Sequence, residues 1–205
     1  MTEPDFDNPE DVKMFLEELH TIIRYLDVSD ADMEKGTMRL EPNISVRKPG
    51  QTGFPPYKVE VKNINSFNFV KRAVEYELER QQEILEQGEI PEQETRGYNE
   101  DKGITYSQRS KEDAHDCRYF PEPDIPHMEF DDEELNAIKK TIPELPTQKV
   151  KWYMESLKLK YQDAFFITRD AMFASYFESV LDLISKEMGE KISKDVLPQQ
   201  VANLS

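Results

Sequence analysis

Residues 38–67, MRLEPNISVRKPGQTGFPPYKVEVKNINSF, decide how the chain is read. Across 38–47 the apolar residues Met38, Leu40, Ile44 and Val46 share one parity and leave Arg39, Glu41, Asn43, Ser45 and Arg47 on the other, the two-residue period of a strand with one buried face. Across 57–62, Tyr57, Val59 and Val61 alternate with Lys58, Glu60 and Lys62 in the same way. Pro-Gly and Pro-Pro pairs make 48–56 the loop between the two runs. If both strands share a sheet, Glu41 and Glu60 face the same space. A face with two carboxylates among Arg, Lys, Asn and Ser can hold a divalent cation and a polyphosphate, because hard cations take oxygen ligands and phosphates take cationic and amide donors. The same alternation also suits a plainly solvated sheet face.

Working outward, Lys62-Asn63-Ile64-Asn65-Ser66 leads into a helix with Ser66 as N-cap, Phe67, Val70, Val74, Leu78, Gln81 and Leu85 along one side, and Gly88 at its end. A helix start offers free backbone amides and a positive dipole end, so this turn beside Lys62 suits an anion, although ordinary capping accounts for the same residues. Upstream, Asn8-Pro9-Glu10-Asp11 starts a helix whose Val12, Phe15, Leu16, Leu19, Ile22, Ile23 and Leu26 should pack on the sheet. Downstream, 95–99 and 104–109 read as a hairpin about the turn at 100–103. Two prolines in 118–124 impose an extended path on which Glu122 or Asp124 can face a cation, or which simply crosses the surface. From Asp131 the texture becomes short helices: Asp131 with Glu134 forms a capping box, Thr147 caps 150–157, Thr168 caps the run bearing Phe177, and Pro143 and Pro146 mark breaks.

Composition bounds the rest. A chain of 205 residues with 37% apolar content can bury one substantial core or two small ones. The net charge of −16 argues against a broad nucleic-acid surface and fits a cation-binding domain, or simple solubility. The lone Cys117 excludes an internal disulfide and a cysteine-rich zinc cluster. No apolar run reaches the length of a membrane span and the N-terminus is acidic, so the expected location is cytoplasmic, with no membrane partner.

The ordered series Glu3-Pro4-Asp5, Val28-Ser29-Asp30, Met33-Glu34-Lys35-Gly36, Met38-Arg39, Asn43-Ile44-Ser45, Lys62-Asn63, Asn65-Ser66-Phe67, Gln93-Glu94-Thr95-Arg96, 118–124 and Ile142-Pro143-Glu144-Leu145-Pro146 resembles the GatB family, the B subunits of the aspartyl/glutamyl-tRNA amidotransferases. The resemblance implies an α+β fold: residues 1–128 as the C-terminal part of a catalytic cradle domain with a glutamine-synthetase-like antiparallel sheet, and 129–205 as the start of a helical domain. It implies an internal fragment of a longer protein, inactive alone. The implied activity uses ATP and Mg²⁺ to phosphorylate the side-chain carboxylate of glutamate or aspartate mischarged on tRNA, after which ammonia from a glutaminase partner displaces the phosphate. The implied partners are that glutaminase (an amidase), a second and smaller protein of the same complex (GatC), and the mischarged tRNA.

Carried over residue by residue, the resemblance makes Glu41 and Glu60 the metal ligands, with Glu3 a third, and makes Glu41, Glu60 and Lys62 the catalytic set. Arg39, Asn43, Ser45, Asn63, Asn65 and Ser66 are then the nucleotide contacts. Glu41-Pro42 stands where many relatives have Asp-Ala, which moves the carboxylate outward by about 1.5 Å. Cys117 replaces a tyrosine, and none of His20, His115 or His127 matches the family's metal-binding histidine. A non-catalytic tRNA- or partner-docking module is the alternative, opposed by the acidity of the chain.

Overall fold

Val59 and Val61 of β2 (Val59–Lys62) are completely buried, and burying a valine side chain stabilises a fold by roughly 1.5–3 kcal/mol, so this short strand anchors the sheet. The computed structural model describes residues 2–110, 123–188 and 197–202. These form two compact units, Met1–Glu18 with Ala31–Met128, and Leu19–Asp30 with Glu129–Ser205. Among the described residues no helix is long and apolar enough to cross a membrane.

The first unit holds a four-stranded sheet in the order β1 (Asn43–Ile44), β2, β3 (Glu94–Asn99), β4 (Ile104–Ser110). β1 runs antiparallel to β2 and β3 antiparallel to β4, but β2 and β3 are parallel, so the sheet is mixed and not antiparallel as the sequence suggested. The reason is the connection. Helix α2 (Phe67–Glu86) lies between β2 and β3 and returns the chain to the end at which it started, which a tight hairpin cannot do. Its buried residues Val70, Ala73, Val74, Glu77 and Gln81 recur at helical spacing, and they share a core with Leu40, Ile44, Tyr57, Val59, Val61, Ile64 and Tyr98.

The strand expected over 38–47 shrinks to the two residues of β1 plus one isolated bridge, Leu40 to Ile64. Pro42 has no N–H to give a ladder, and its carbonyl instead accepts from the Val61 amide at 2.9 Å. The burial parity survives: Leu40 and Ile44 are buried, and Glu41, Asn43 and Ser45 are exposed. The hairpin forms as expected, with one register shift between Thr95 and Arg96.

Helix α1 (Pro9–Tyr25) is capped by Asn8, whose Oδ1 accepts from the Asp11 amide at 2.9 Å. Val12 and Leu16 pack on the first unit's core, whereas residues from Leu19 onward belong to the second unit, so the stripe does not lie on the sheet along its whole length. In the second unit, helices α3 (Asp132–Thr141), α4 (Pro146–Ser156), α5 (Tyr161–Ile167), α6 (Ala171–Met188) and α7 (Leu197–Ala202) follow in turn. Tyr153, Ile167 and Phe177 fill its core, and the Tyr25 hydroxyl donates to the Thr168 carbonyl at 2.7 Å.

The Asp131–Glu134 capping box forms, but two other caps fall elsewhere. α4 starts at Pro146, ahead of Thr147, because proline suits the first helical position. Thr168 ends α5, its hydroxyl donating back to the Ala164 carbonyl at 2.8 Å, and Asp170 accepts from the Phe173 amide at the start of α6. α3 buries no residue, so Leu135 and Ile138 are exposed. Of the extended 118–124 segment, 118–122 lie outside the described residues; Asp124 is exposed.

Candidate functional site

Because Val59 and Val61 point to α2, Glu60 and Lys62 emerge on the opposite face of the sheet. In register, Asn43, Glu60 and Thr95 form one cross-strand row, and Lys62, Gly97 and Tyr106 form the next. The Thr95 hydroxyl donates to Glu60 Oε2 at 3.2 Å. Lys62 Nζ lies 3.9 Å from Glu60 Oε2 and 3.7 Å from Glu41 Oε1, so one ammonium is shared by both carboxylates. The environments differ: the Glu60 side chain is 5% exposed, Glu41 34% and Lys62 36%. Glu60 is therefore a buried carboxylate within the sheet and not a member of a solvated face, with the ammonium and the hydroxyl beside it as partners.

The remaining residues singled out in the sequence divide. Asn63 and Asn65 line an open cleft of about 550 Å³ at the end of β2, together with Tyr98, Tyr106 and residues 99–101. Asn63 takes a left-handed backbone, φ 63°, which turns the chain from the strand toward α2. Ser66 caps α2, its hydroxyl accepting from the Phe69 amide at 3.1 Å, and is committed to that role. Asn43 shares the Glu60 row and is exposed. Arg39 and Ser45 are exposed, and no hydrogen bond or ion pair among the described residues joins them to the trio. Glu3 is exposed, and no group of three His, Cys, Asp or Glu able to hold a metal forms among the described residues.

Three features were not singled out in the sequence. Thr95 reaches Glu60 only through the parallel pairing. Gly97 has its ordinary backbone but no room: a Cβ there would lie 2.6 Å from Tyr106 Cζ and 2.6 Å from Gln108 Nε2, so the Tyr106 phenol lies across the glycine. Glycine inside a strand signals such a close approach. Third, beneath the sheet, fully buried Glu77 of α2 accepts from Arg80 Nη2 at 2.8 Å, Gln81 Nε2 at 3.0 Å and the Thr105 hydroxyl, and pairs with Arg96 Nε at 3.1 Å. Glu94 closes the network against Arg96 Nη1 at 2.6 Å. Burial pulls the Glu77 carboxyl upward, but the hydrogen bonds from Arg80, Gln81 and Thr105 outweigh it and hold it below its ordinary value. This network fixes α2 against β3 and β4, and so holds Thr95 in line with Glu60.

The fold and this cluster define an α+β domain that presents a carboxylate pair and a lysine on the sheet face away from its covering helix. The chain belongs to the GatB/GatE catalytic domain family, whose model matches residues 1–136. It is 45% identical over 199 residues to the B subunit of the aspartyl/glutamyl-tRNA(Asn/Gln) amidotransferase of Thermotoga maritima, covering 96% of this chain and 41% of that protein. The proteins of the same name from Persephonella marina and Bradyrhizobium sp. strain BTAi1 are 46% and 45% identical, with 91% and 90% of this chain matched to 39% and 37% of theirs. The chain thus spans about two fifths of the length of these curated relatives.

Proposed function

We propose that this chain carries part of the carboxylate-activation site of a tRNA-dependent amidotransferase. The observation that carries the reading is the meeting of Glu41, Glu60 and Lys62 at one point of the sheet face, in a chain whose relatives are named for that activity. In the reaction, the side-chain carboxylate of tRNA-bound glutamate or aspartate attacks the γ-phosphorus of ATP, ADP leaves, and ammonia from a glutaminase partner displaces the phosphate. A smaller third protein, GatC, completes the complex, and the domain is read as part of a glutamine-synthetase-like cradle.

The donor set fits a hard cation. Two carboxylates that already share one ammonium offer oxygen ligands to a common point, and Mg²⁺ usually takes only one or two carboxylates beside phosphate and water. Glu41 and Glu60 would hold it, with Glu3 the third candidate, and the ion would neutralise charge developing on the transferred phosphoryl group. The chain's own groups then have distinct tasks. Thr95 fixes one oxygen of Glu60, and burial keeps that carboxylate in a single orientation. Lys62 stands at the edge of the pair, where its ammonium can turn from the carboxylates to a polyphosphate. Asn63, Asn65 and the exposed Asn43 supply amide donors along the same side; Ser66 acts through the helix start that it caps.

Glu60→Gln in the assembled enzyme keeps the side chain's size and removes its charge. The expected result is a loss of ATP-dependent activation of about 100-fold or more, the scale of removing one electrostatic partner of a transition state, with assembly of the complex and glutaminase activity intact. Normal ADP formation by that variant would overturn the reading.

A further inference from the structure

We propose that the cleft beyond Lys62 takes the nucleoside end of the nucleotide whose phosphates meet Lys62, with Tyr106 as the ring on which its base rests. This deepens the function proposed above and rests on it.

Four observations converge. First, place: Lys62, Gly97 and Tyr106 stand in one cross-strand row, so the phenol ring and the ammonium are neighbours on one face, and the cleft begins at the very next residue, Asn63. Asn63 and Asn65 follow Lys62 by one and three residues, and the left-handed turn at Asn63 brings them to the end of β2, beside the ammonium. Second, lining: the cleft presents amide side chains from Asn63, Asn65 and Asn99 and carboxylates from Glu100 and Asp101, with no Lys or Arg among the described residues that line it. That set repels a phosphate and suits a flat, neutral group with both donors and acceptors, with the acids able to accept from an exocyclic amine or a ribose hydroxyl.

Third, the platform: Tyr106 is 43% exposed although its tip lies across Gly97, where any side chain would displace it. A half-exposed aromatic ring laid over a glycine beside a cleft is a stacking surface, and bases stack on such rings whatever their edge chemistry. Fourth, the Tyr98 hydroxyl is buried, belongs to a cleft-lining residue, and has no hydrogen-bond partner among the described residues. Its ring packs against Phe69, with centroids 5.9 Å apart. Buried polar groups are rarely left unpaired, and a ligand acceptor would complete this one.

The test is calorimetric titration of the assembled enzyme carrying this chain or its variants, with Mg²⁺ present, using ATP, tripolyphosphate, which lacks the nucleoside, and a trinucleotide RNA. Tyr106→Ala should weaken ATP binding by about tenfold or more, within the range of one base–aromatic stack, and leave tripolyphosphate binding unchanged. Tyr106→Phe should retain ATP affinity within about threefold, because the ring and not the hydroxyl carries the stack. Gly97→Ala should fall between them, since its methyl moves the ring without removing it. Equal ATP affinity in wild type and Tyr106→Ala, with tripolyphosphate still bound, would overturn this inference and leave the proposed activation site standing. A Tyr106→Ala loss confined to the RNA would overturn the assignment to the nucleotide. Failure of wild type to bind either ATP or tripolyphosphate would bring down the reading of the site and this inference together.

Discussion

Replacing Glu77 by Gln tests whether the network under the sheet holds the first unit together. Glu77 is wholly buried, pairs with Arg80 and Arg96, and accepts from Gln81 and Thr105. The amide keeps the volume, removes the charge, and points a donor at groups that are themselves donors. Breaking a buried ion pair from one side costs about 3–5 kcal/mol. Glu94 remains 2.6 Å from Arg96 and 3.6 Å from Arg80. Each guanidinium therefore keeps one counter-ion, and the expected loss falls to about 2–4 kcal/mol.

Urea unfolding followed by amide exchange in α2 and β3 is the appropriate assay, because the single tryptophan, Trp152, belongs to the second unit and its fluorescence would report on that unit. The pH dependence gives a second reading of the same group. The folded carboxyl lies below its ordinary value of 4.5, so its contribution is fully present above that value and is lost as pH falls through the lower, folded value. Glu77→Gln should flatten this acid limb as well as lower stability at neutral pH. A loss under about 1 kcal/mol with the acid limb unchanged would show that the network contributes little beyond its own desolvation.

Tyr25→Phe in the second unit should cost about 1 kcal/mol, the net worth of one buried hydrogen bond, here to the Thr168 carbonyl. Burial pushes the Tyr25 hydroxyl from 10.0 up to about 12, so its contribution is complete below pH 10 and is lost as pH rises toward 12; the variant should lose that part of the alkaline limb in a thermal melt. Ser66→Ala removes the acceptor for the Phe69 amide at the start of α2. It should destabilise the helix by about 1 kcal/mol, seen as faster exchange of the first-turn amides, whereas Ser66→Asp should restore protection.

How much of this was legible depends on how far apart in sequence the partners lie. The alternation in 57–62 placed Val59 and Val61 inward without help from elsewhere, and Asn8, Ser66 and the Asp131–Glu134 pair announced their caps, because cap chemistry is completed within three residues. The strand over 38–47 was overdrawn because parity alone ignores Pro42, which keeps the direction of Glu41 but breaks the ladder. The alternation marked Glu60 as a candidate ligand but could not show its burial, because Thr95, its hydroxyl partner, stands 35 positions away. Glu77 sits on the helix face that also carries Val70, Val74 and Gln81, where a carboxylate is disfavoured until Arg96 and Thr105 arrive from the strands. The direction of β3 was legible in the connection, since a helix between two neighbouring strands returns the chain to its starting end, whereas the antiparallel sheet was expected from the resemblance.

The parallel pairing also fixes when the cluster can exist during synthesis. Glu41, Glu60 and Lys62 are made before α2, yet Glu60 has no Thr95 beside it until the whole helix and the first residues of β3 have left the ribosome. Until then a carboxylate destined for burial is in water, where it carries no desolvation cost. The β3–β4 hairpin closes over a short turn, whereas the β2–β3 contact must enclose residues 63–93, and entropy makes the longer closure the harder one. Translation thus delivers the acids early and their setting late, so a chain stopped before Thr95 contains Glu41, Glu60 and Lys62 but not the row that orients Glu60.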